Sequence, residues 1–178
     1  MNSSGISSSP SGGWAYPNIS NVLRPYIENT IYGGLQNDLK SYIQKVTRNY
    51  GYGDSNYDSS YYGTSTTSAY LFPFTTVEVG FSKPDSGSSG NHQSQIKDGS
   101  KYPYFSSNTN RVKNFPDGTA GEWWLGSGNV RVYYNSPTAL AYYVSSTGDR
   151  GSWSGYTGGY LLDARGVCFG FCIGKSAA

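Results

Sequence analysis

Apolar residues recur along this chain with two different periods. In the first third they fall three and four positions apart, which is typical of amphipathic helices. This spacing predicts one helix over residues 18–32, which Gly33 ends, and a second helix over residues 35–48. The apolar face of the second helix consists of Leu39, Tyr42, Ile43 and Val46.

Residues 49–68 are rich in Tyr, Gly, Ser and Asp, and we expect a long loop there. A short apolar strand is predicted over residues 69–74. Thr75 followed three positions later by Glu78 is a capping-box pattern, which predicts that a short helix begins at this point. Glycines and a proline interrupt residues 82–100, which indicates a second long loop.

From Ser127 onward the period changes to two. Val130, Val132 and Tyr134 alternate with polar or larger side chains, which predicts a strand, and residues 139–146 repeat the pattern. A short strand is expected to begin at Tyr160.

We expect residues 166–174 to close the domain as one fully apolar strand. In such a strand Cys168 and Cys172 share a face but lie about 13 Å apart at ~3.3 Å per residue, too far for a disulfide. Both are therefore predicted to be buried small hydrophobic side chains.

Trp123 and Trp124 concentrate a large apolar surface at one point of the chain. In an extended backbone adjacent side chains point to opposite faces of a sheet, so one indole can enter the core while the other packs under a covering segment. The simplest interpretation is a core strand with no chemistry of its own.

The composition of the chain mainly serves to exclude classes of function. The net charge is +2 and charged residues are only 13% of the chain, which gives no electrostatic argument for binding nucleic acid or an anionic membrane. No apolar run is long enough to span a membrane, and no signal peptide is recognised, so membrane insertion is not expected. The 18 tyrosines, accompanied by Ser, Gly and Asn, are the residue types of recognition surfaces.

Catalytic chemistry finds little support in the sequence. His92 is the single histidine and lies in a Ser/Gly-rich loop, and the acidic residues are scattered. No nucleophile-base-acid arrangement and no metal-ligand spacing is present. We therefore expect no enzymatic activity, no catalytic residue, no metal site and no cofactor.

Several short motifs in a fixed order carry a resemblance to a known family. They are Leu39–Thr47, Tyr70–Phe74 with Glu78-Val79, Tyr102–Phe105, Glu122–Ser127, Ala141–Val144 and Gly166–Ile173. In this order they resemble an uncharacterised domain family of gut bacteria and their phages with a Trp-Trp-Leu-Arg-Ser centre. That family looks like a branch of the C-type-lectin-like fold, related to the formylglycine-generating-enzyme fold and to the variable proteins of diversity-generating retroelements.

The resemblance implies an α+β, C-type-lectin-like domain over residues 14–175, with two helices, a small twisted antiparallel sheet and much irregular loop. Residues 1–13 are Ser/Gly-rich and are predicted to form a flexible tail. The chain departs from the family pattern at Gly126, where the family has Arg, and at Cys168-Phe169, where it has Arg-Pro. The calcium and sugar motifs of true C-type lectins are missing.

The resemblance also implies a ligand surface between the Trp-Trp strand and the last strand. Such an arrangement is compatible with recognition, because rigid scaffolds that display loops are typical of recognition domains. The candidate ligand-binding residues are Asn129, Arg131, Tyr133, Tyr134, Asn135, Asp149, Arg150, Trp153 and Tyr156.

The expected function is that of an adhesion module at the tip of a phage tail or fibre, on the virion surface or outside the cell. It would bind a host-surface protein or glycan. The alternative is a structural virion protein, such as a head fibre, decoration or baseplate component, that acts through subunit contacts. Both functions are compatible with contacts to other virion proteins and with a homo-oligomer such as a trimer.

Overall fold

The computed structural model of the chain describes residues 23–54, 62–84, 94, 96–133, 136–153, 156–157, 159–160 and 165–174. Side chains are described for these residues except 23, 54, 129–133, 136–140, 152–153, 156–157 and 159–160. The predicted tail over residues 1–13 and the single histidine, His92, lie outside the described residues.

The protein is a mixed α+β domain with few helices and several small sheets. The helices within the described residues are α1 (Leu23–Pro25), which continues as a π-helix (Tyr26–Tyr32), α2 (Asn37–Tyr42), a 3₁₀ helix (Pro103–Phe105) and α3 (Asn108–Arg111). The strands of the main sheet are β2 (Val46–Asp54), β3 (Gly63–Ala69), β7 (Trp123–Tyr133), β8 (Ser136–Val144), β11 (Gly159–Tyr160) and β12 (Gly166–Val167).

The remaining strands form two-residue ladders around this sheet. They are β1 (Ile43–Gln44) with β14 (Cys172–Ile173), β4 (Phe72–Pro73) with β13 (Phe169–Gly170), β5 (Lys113–Asn114) with β6 (Ala120–Gly121), and β9 (Ser152–Trp153) with β10 (Tyr156–Thr157).

The main sheet runs in the order β11, β8, β7, β2, β3. β7 and β8 form an antiparallel hairpin, and β2 lies parallel to β7, with Tyr52 opposite Gly128. The sheet therefore joins the N-terminal hairpin β2–β3 to the C-terminal hairpin β7–β8 through a pairing between distant parts of the chain.

The prediction that the two tryptophans point to opposite faces is confirmed. Trp123 lies in a core cluster with Leu125 and Tyr142, whereas Trp124 packs on the other side with Tyr143. The indole nitrogen of Trp123 donates to the backbone oxygen of Arg111 at 2.9 Å, so its one polar atom is satisfied in the core.

The predicted second helix over 35–48 is wrong in its second half. Helix α2 ends at Tyr42, and Ile43 already has an extended backbone. Val46 begins strand β2, so residues 49–54 and 63–68 of the predicted loop instead lie in strands β2 and β3, which pair from Val46 opposite Ala69 to Tyr52 opposite Gly63. The rest of that predicted loop, residues 55–61, lies outside the described residues. Val46, Arg48 and Tyr50 also fit a period of two, and cross-strand pairing selects that period.

The capping box at Thr75 and Glu78 is present, although the predicted helix is not. The Thr75 amide donates to the Glu78 carboxylate at 2.9 Å, and the Glu78 amide donates to the Thr75 hydroxyl at 3.2 Å. The following residues make a single hydrogen-bonded turn that Gly80 ends with a φ of 86°. The motif Tyr102–Phe105 contains the short 3₁₀ helix.

The predicted closing strand over 166–174 is also wrong, because these residues divide into β12, β13 and β14, and each pairs with a different strand. As a result Cys172 is exposed and Cys168 is only half-buried, so the prediction that both are buried fails. Both cysteines are free thiols, as expected.

Candidate functional site

An aromatic cleft of about 540 Å³ opens between the 3₁₀ helix and residues 168–172, which we call the C-terminal segment. A volume of this size is typical of small-ligand sites. We define the aromatic cleft by the residues whose side chains give it its character, namely Phe72, Phe74, Tyr102, Tyr104, Phe105, Lys113 and Phe171.

Phe74 lies at the centre of the cleft and orders the other rings. It makes edge-to-face contacts with Phe72, Tyr102 and Phe105, at centroid distances of 6.4, 5.9 and 5.1 Å. Such pairs stabilise a defined ring geometry beyond simple burial. The cleft therefore has an organised floor rather than a loose collection of side chains.

Gly170 allows the C-terminal segment to lie close to this floor. Its strand β13 pairs with β4, which places Gly170 opposite Phe72. A Cβ atom at position 170 would lie 2.9 Å from the Phe72 ring and 3.0 Å from the Phe74 ring. The absence of a side chain is what allows backbone and aromatic floor to approach each other here.

Arg48 connects the cleft wall to the buried polar residues behind it. Its guanidinium lies 3.8 Å from the centroid of the Phe72 ring and donates to the Tyr102 hydroxyl at 3.3 Å. It also forms an ion pair with Glu78, the buried carboxylate of the capping box. The position of the Tyr102 ring is thus tied to an ion pair that has little solvent contact.

Behind that ion pair lies Asp98, a buried carboxylate that hydroxyl and amide donors surround. Its oxygens accept hydrogen bonds from the Gly51 amide at 2.7 Å, the Thr76 hydroxyl at 2.6 Å and the Ser127 hydroxyl at 2.8 Å. Burial raises the pKa of Asp98 above its ordinary value of 3.8, and these hydrogen bonds counteract part of that effect. Such a carboxylate fixes the junction of β2, β7 and the turn after Thr75.

A second hollow of about 420 Å³ adjoins the aromatic cleft, and Lys113 and Cys168 line both. At its far side Arg165 pairs with Glu122 at 2.8 Å. The guanidinium of Arg165 also lies 4.5 Å from the centroid of the Trp124 ring. The charge of Arg165 is therefore matched by a neighbouring carboxylate.

Lys113 differs from Arg165 in this respect. Its ammonium lies 5.0 Å from the centroid of the Tyr104 ring, and it donates to the Asn110 carbonyl at 3.0 Å and to the Tyr104 hydroxyl at 3.4 Å. Among the described residues, no carboxylate forms an ion pair with it. Burial raises the pKa of the neighbouring Cys168 thiol, although Lys113 opposes the shift, so this thiol is uncharged near neutral pH.

Of the nine candidate ligand-binding residues, Asp149 and Arg150 have described side chains. Asp149 is exposed in a turn, where it accepts hydrogen bonds from the Asn108 amide and the Thr147 hydroxyl. Arg150 donates to the Ser82 hydroxyl at 3.0 Å, and its guanidinium lies 5.9 Å from the centroid of the Tyr142 ring.

For the other seven candidates the structure gives backbone positions or nothing. Asn129, Arg131 and Tyr133 lie at alternate positions of β7, and Trp153 is paired with Tyr156 across β9 and β10. Tyr134 and Asn135 lie outside the described residues. The proposal that these nine side chains form one binding surface stays a prediction.

Sequence reasoning did not identify the aromatic cleft. The density of aromatic residues at Tyr102–Phe105 and at Phe169–Phe171 is a signal that the sequence contains. Nothing in the spacing, however, indicates that these two segments meet over Phe74 or that Lys113 lies between them.

Fold and cleft together define an α+β domain with an organised aromatic surface site. The chain belongs to the family described as a domain of unknown function, DUF6273, whose model matches residues 14–168. No curated protein and no solved structure matches the chain.

Two further observations concern metal ions and membranes. In the part of the chain that the structure describes, no group of three or more His, Cys, Asp and Glu side chains is placed to hold a metal ion. None of the described helices has the length and hydrophobicity needed to cross a bilayer.

Proposed function

We propose that this domain is a non-catalytic ligand-binding module that recognises a host-surface receptor or glycan through the aromatic cleft. The observation that supports this most directly is the exposure of aromatic rings that line the cleft. Tyr104 is 59% exposed, Phe171 is 40% exposed and Tyr102 is 37% exposed. Aromatic side chains that are rigid and solvent-accessible dominate the energetics of recognition surfaces.

The biological setting follows from the resemblance described above and is part of the proposal. The module would lie at the tip of a phage tail or fibre, on the virion surface or outside the cell, in contact with other virion proteins. The finer fold assignment, a C-type-lectin-like domain, is proposed on the same basis. An experimental structure that superimposes on that fold would support it, and one with a different strand order would contradict it.

The experiment compares two candidate surfaces in one binding assay on host cells and on a glycan array. The first variant, Tyr104→Ala with Phe171→Ala, removes two exposed rings of the aromatic cleft. The second changes the predicted residues Tyr133, Trp153 and Tyr156 to Ala. We expect the first variant to lose binding at least tenfold, because most of the binding energy of an interface comes from a few such rings.

Tyr42→Ala is the matched control, because Tyr42 is 44% exposed and does not line the cleft. Circular dichroism and thermal unfolding should show that all three variants fold. Loss of binding only in the Tyr133, Trp153 and Tyr156 variant would move the site to the originally predicted surface. Undiminished binding in both variants would refute a role for either surface.

A structural virion protein is the second candidate, and one observation favours it. Ile173 is 65% exposed on the ladder β1–β14, and the neighbouring Cys172 is exposed as well. Exposed apolar side chains of this kind are typical of subunit contacts. Light scattering coupled to size-exclusion chromatography would show a stable oligomer that Ile173→Asp dissociates, whereas a monomer at micromolar concentration would count against this candidate.

A further inference from the structure

The charges around the two hollows do not cancel. The charged residues that line them are Lys113, Arg165 and Glu122, and Arg165 is paired with Glu122. Cys168 contributes an uncharged thiol. The ammonium of Lys113 is thus the one charge of this lining without an ionic partner among the described residues.

Lys113 also retains hydrogen-bonding capacity. An ammonium group has three donors. Among the residues that the structure describes, two of these donors have acceptors, the Asn110 carbonyl and the more distant Tyr104 hydroxyl. The third donor is available to a ligand that enters either hollow, because Lys113 lies at the point where the two hollows meet.

The walls restrict what such a ligand can be. A cationic ligand, which aromatic cages otherwise attract, would be repelled by the ammonium of Lys113. A purely apolar ligand would desolvate that ammonium without replacing its hydrogen bond. The ligand that satisfies both the rings and the ammonium combines an apolar ring face with an anionic group.

We propose that the aromatic cleft binds a glycan that carries a carboxylated sugar, whose ring stacks on the exposed aromatic side chains while its carboxylate pairs with Lys113. The inference rests on the proposed function and specifies the ligand class of the same site. Pyranose rings have a face of C–H bonds that contacts aromatic rings well, and the adjoining second hollow provides room for a neighbouring sugar unit.

The test uses probe pairs that differ in the charged group. Galacturonic acid oligomers are compared with their methyl esters, and sialyllactose is compared with lactose, by NMR titration or calorimetry on the full chain. The acid form of at least one pair should bind tenfold or more tightly than its neutral partner. In Lys113→Gln the two members should bind equally, whereas Tyr104→Ala should weaken both.

Lys45→Gln is the matched control, because the Lys45 ammonium lies 5.8 Å from the centroid of the Tyr70 ring, outside the cleft, and repeats the same type of contact. Equal affinity for the acid and its neutral partner in both pairs, no binding of either acid, or an acid preference that survives Lys113→Gln would overturn the inference. So would an oligoglutamate peptide that binds as tightly as the acidic sugars.

Different results would contradict the proposed function and the acidic-sugar inference. If neutral glycans or host cells bind and Tyr104→Ala with Phe171→Ala abolishes that binding, the proposed function stands and the acidic-sugar inference fails. If cell binding is unaffected by every cleft variant, the proposed function itself fails.

Discussion

Replacing Asp98 with Ala tests whether a buried carboxylate organises the junction behind the cleft. The change removes the acceptor of three donors, the Gly51 amide and the hydroxyls of Thr76 and Ser127. Each buried donor left without a partner costs about 1–3 kcal/mol. The hydroxyls can rotate toward other acceptors, but the Gly51 amide cannot, and the loss of a desolvated charge offsets part of the cost.

We therefore expect Asp98→Ala to lower the free energy of unfolding by at least about 2 kcal/mol, a large part of the usual 5–15 kcal/mol. Urea unfolding at pH 7, followed by tryptophan fluorescence, measures this. Asp98→Asn is the matched control, because its side-chain oxygen still accepts from Gly51 and its amide can donate to Thr76. An Asp98→Ala variant with the wild-type urea midpoint would refute the role assigned to this carboxylate.

The difference in unfolding free energy between the wild type and Asp98→Asn should also depend on pH. Because the folded-state pKa of Asp98 lies above 3.8, the folded state binds the proton more tightly than the unfolded state. The additional stability that comes from tighter proton binding by folded Asp98 is thus fully present below pH 3.8 and is lost as pH rises through the folded-state pKa, whereas its hydrogen bonds to Gly51, Thr76 and Ser127 remain at pH 7. The unfolding free energy of the wild type minus that of Asp98→Asn should fall across this window, by at most about 1.4 kcal/mol per pH unit. A difference that rises with pH would mean that the hydrogen bonds outweigh burial.

Three further predictions concern the core and the thiols. Gly126→Ala should destabilise the domain by about 1–3 kcal/mol, because the new Cβ would lie 2.4 Å from the buried Tyr50 ring; an unchanged urea midpoint would contradict this. Arg111→Lys should cost about 2–3 kcal/mol in the same assay, since one guanidinium donates to three backbone carbonyls that an ammonium on a different stem cannot all reach. Iodoacetamide should modify the exposed Cys172 several-fold faster than the half-buried Cys168, as mass spectrometry would show, whereas equal rates would disprove the placement of the two thiols.

Local patterns were reliable where the interacting groups are neighbours in sequence. The capping box at Thr75 and Glu78 needs only a three-residue spacing, and its reciprocal hydrogen bonds are present. The opposite facing of Trp123 and Trp124 needs only an extended backbone. The alternation from Val130 onward likewise predicted the paired strands β7 and β8.

Patterns failed where distant residues decide the local conformation. Val46 fits a helix with Leu39 and Ile43 as well as it fits a strand, and its pairing with Ala69 determines which occurs. Residues 166–174 look like one strand, but three different partners divide them. Asp98 lay in a segment predicted to be an ordinary loop, because no sequence rule reveals which donors will surround a single carboxylate.

By itself the sequence determined that helical and extended segments both occur, that the two tryptophans face opposite sides, that a capping box forms and that aromatic residues are abundant. The tertiary structure alone decided where those aromatic residues meet. The aromatic cleft joins Phe74, Tyr104 and Phe171, which are separated by tens of residues, and its shape depends on how closely Gly170 lets two backbone segments approach. Proximity between such segments is a property of packing and strand pairing, and so it is not encoded in the spacing of residues along the chain.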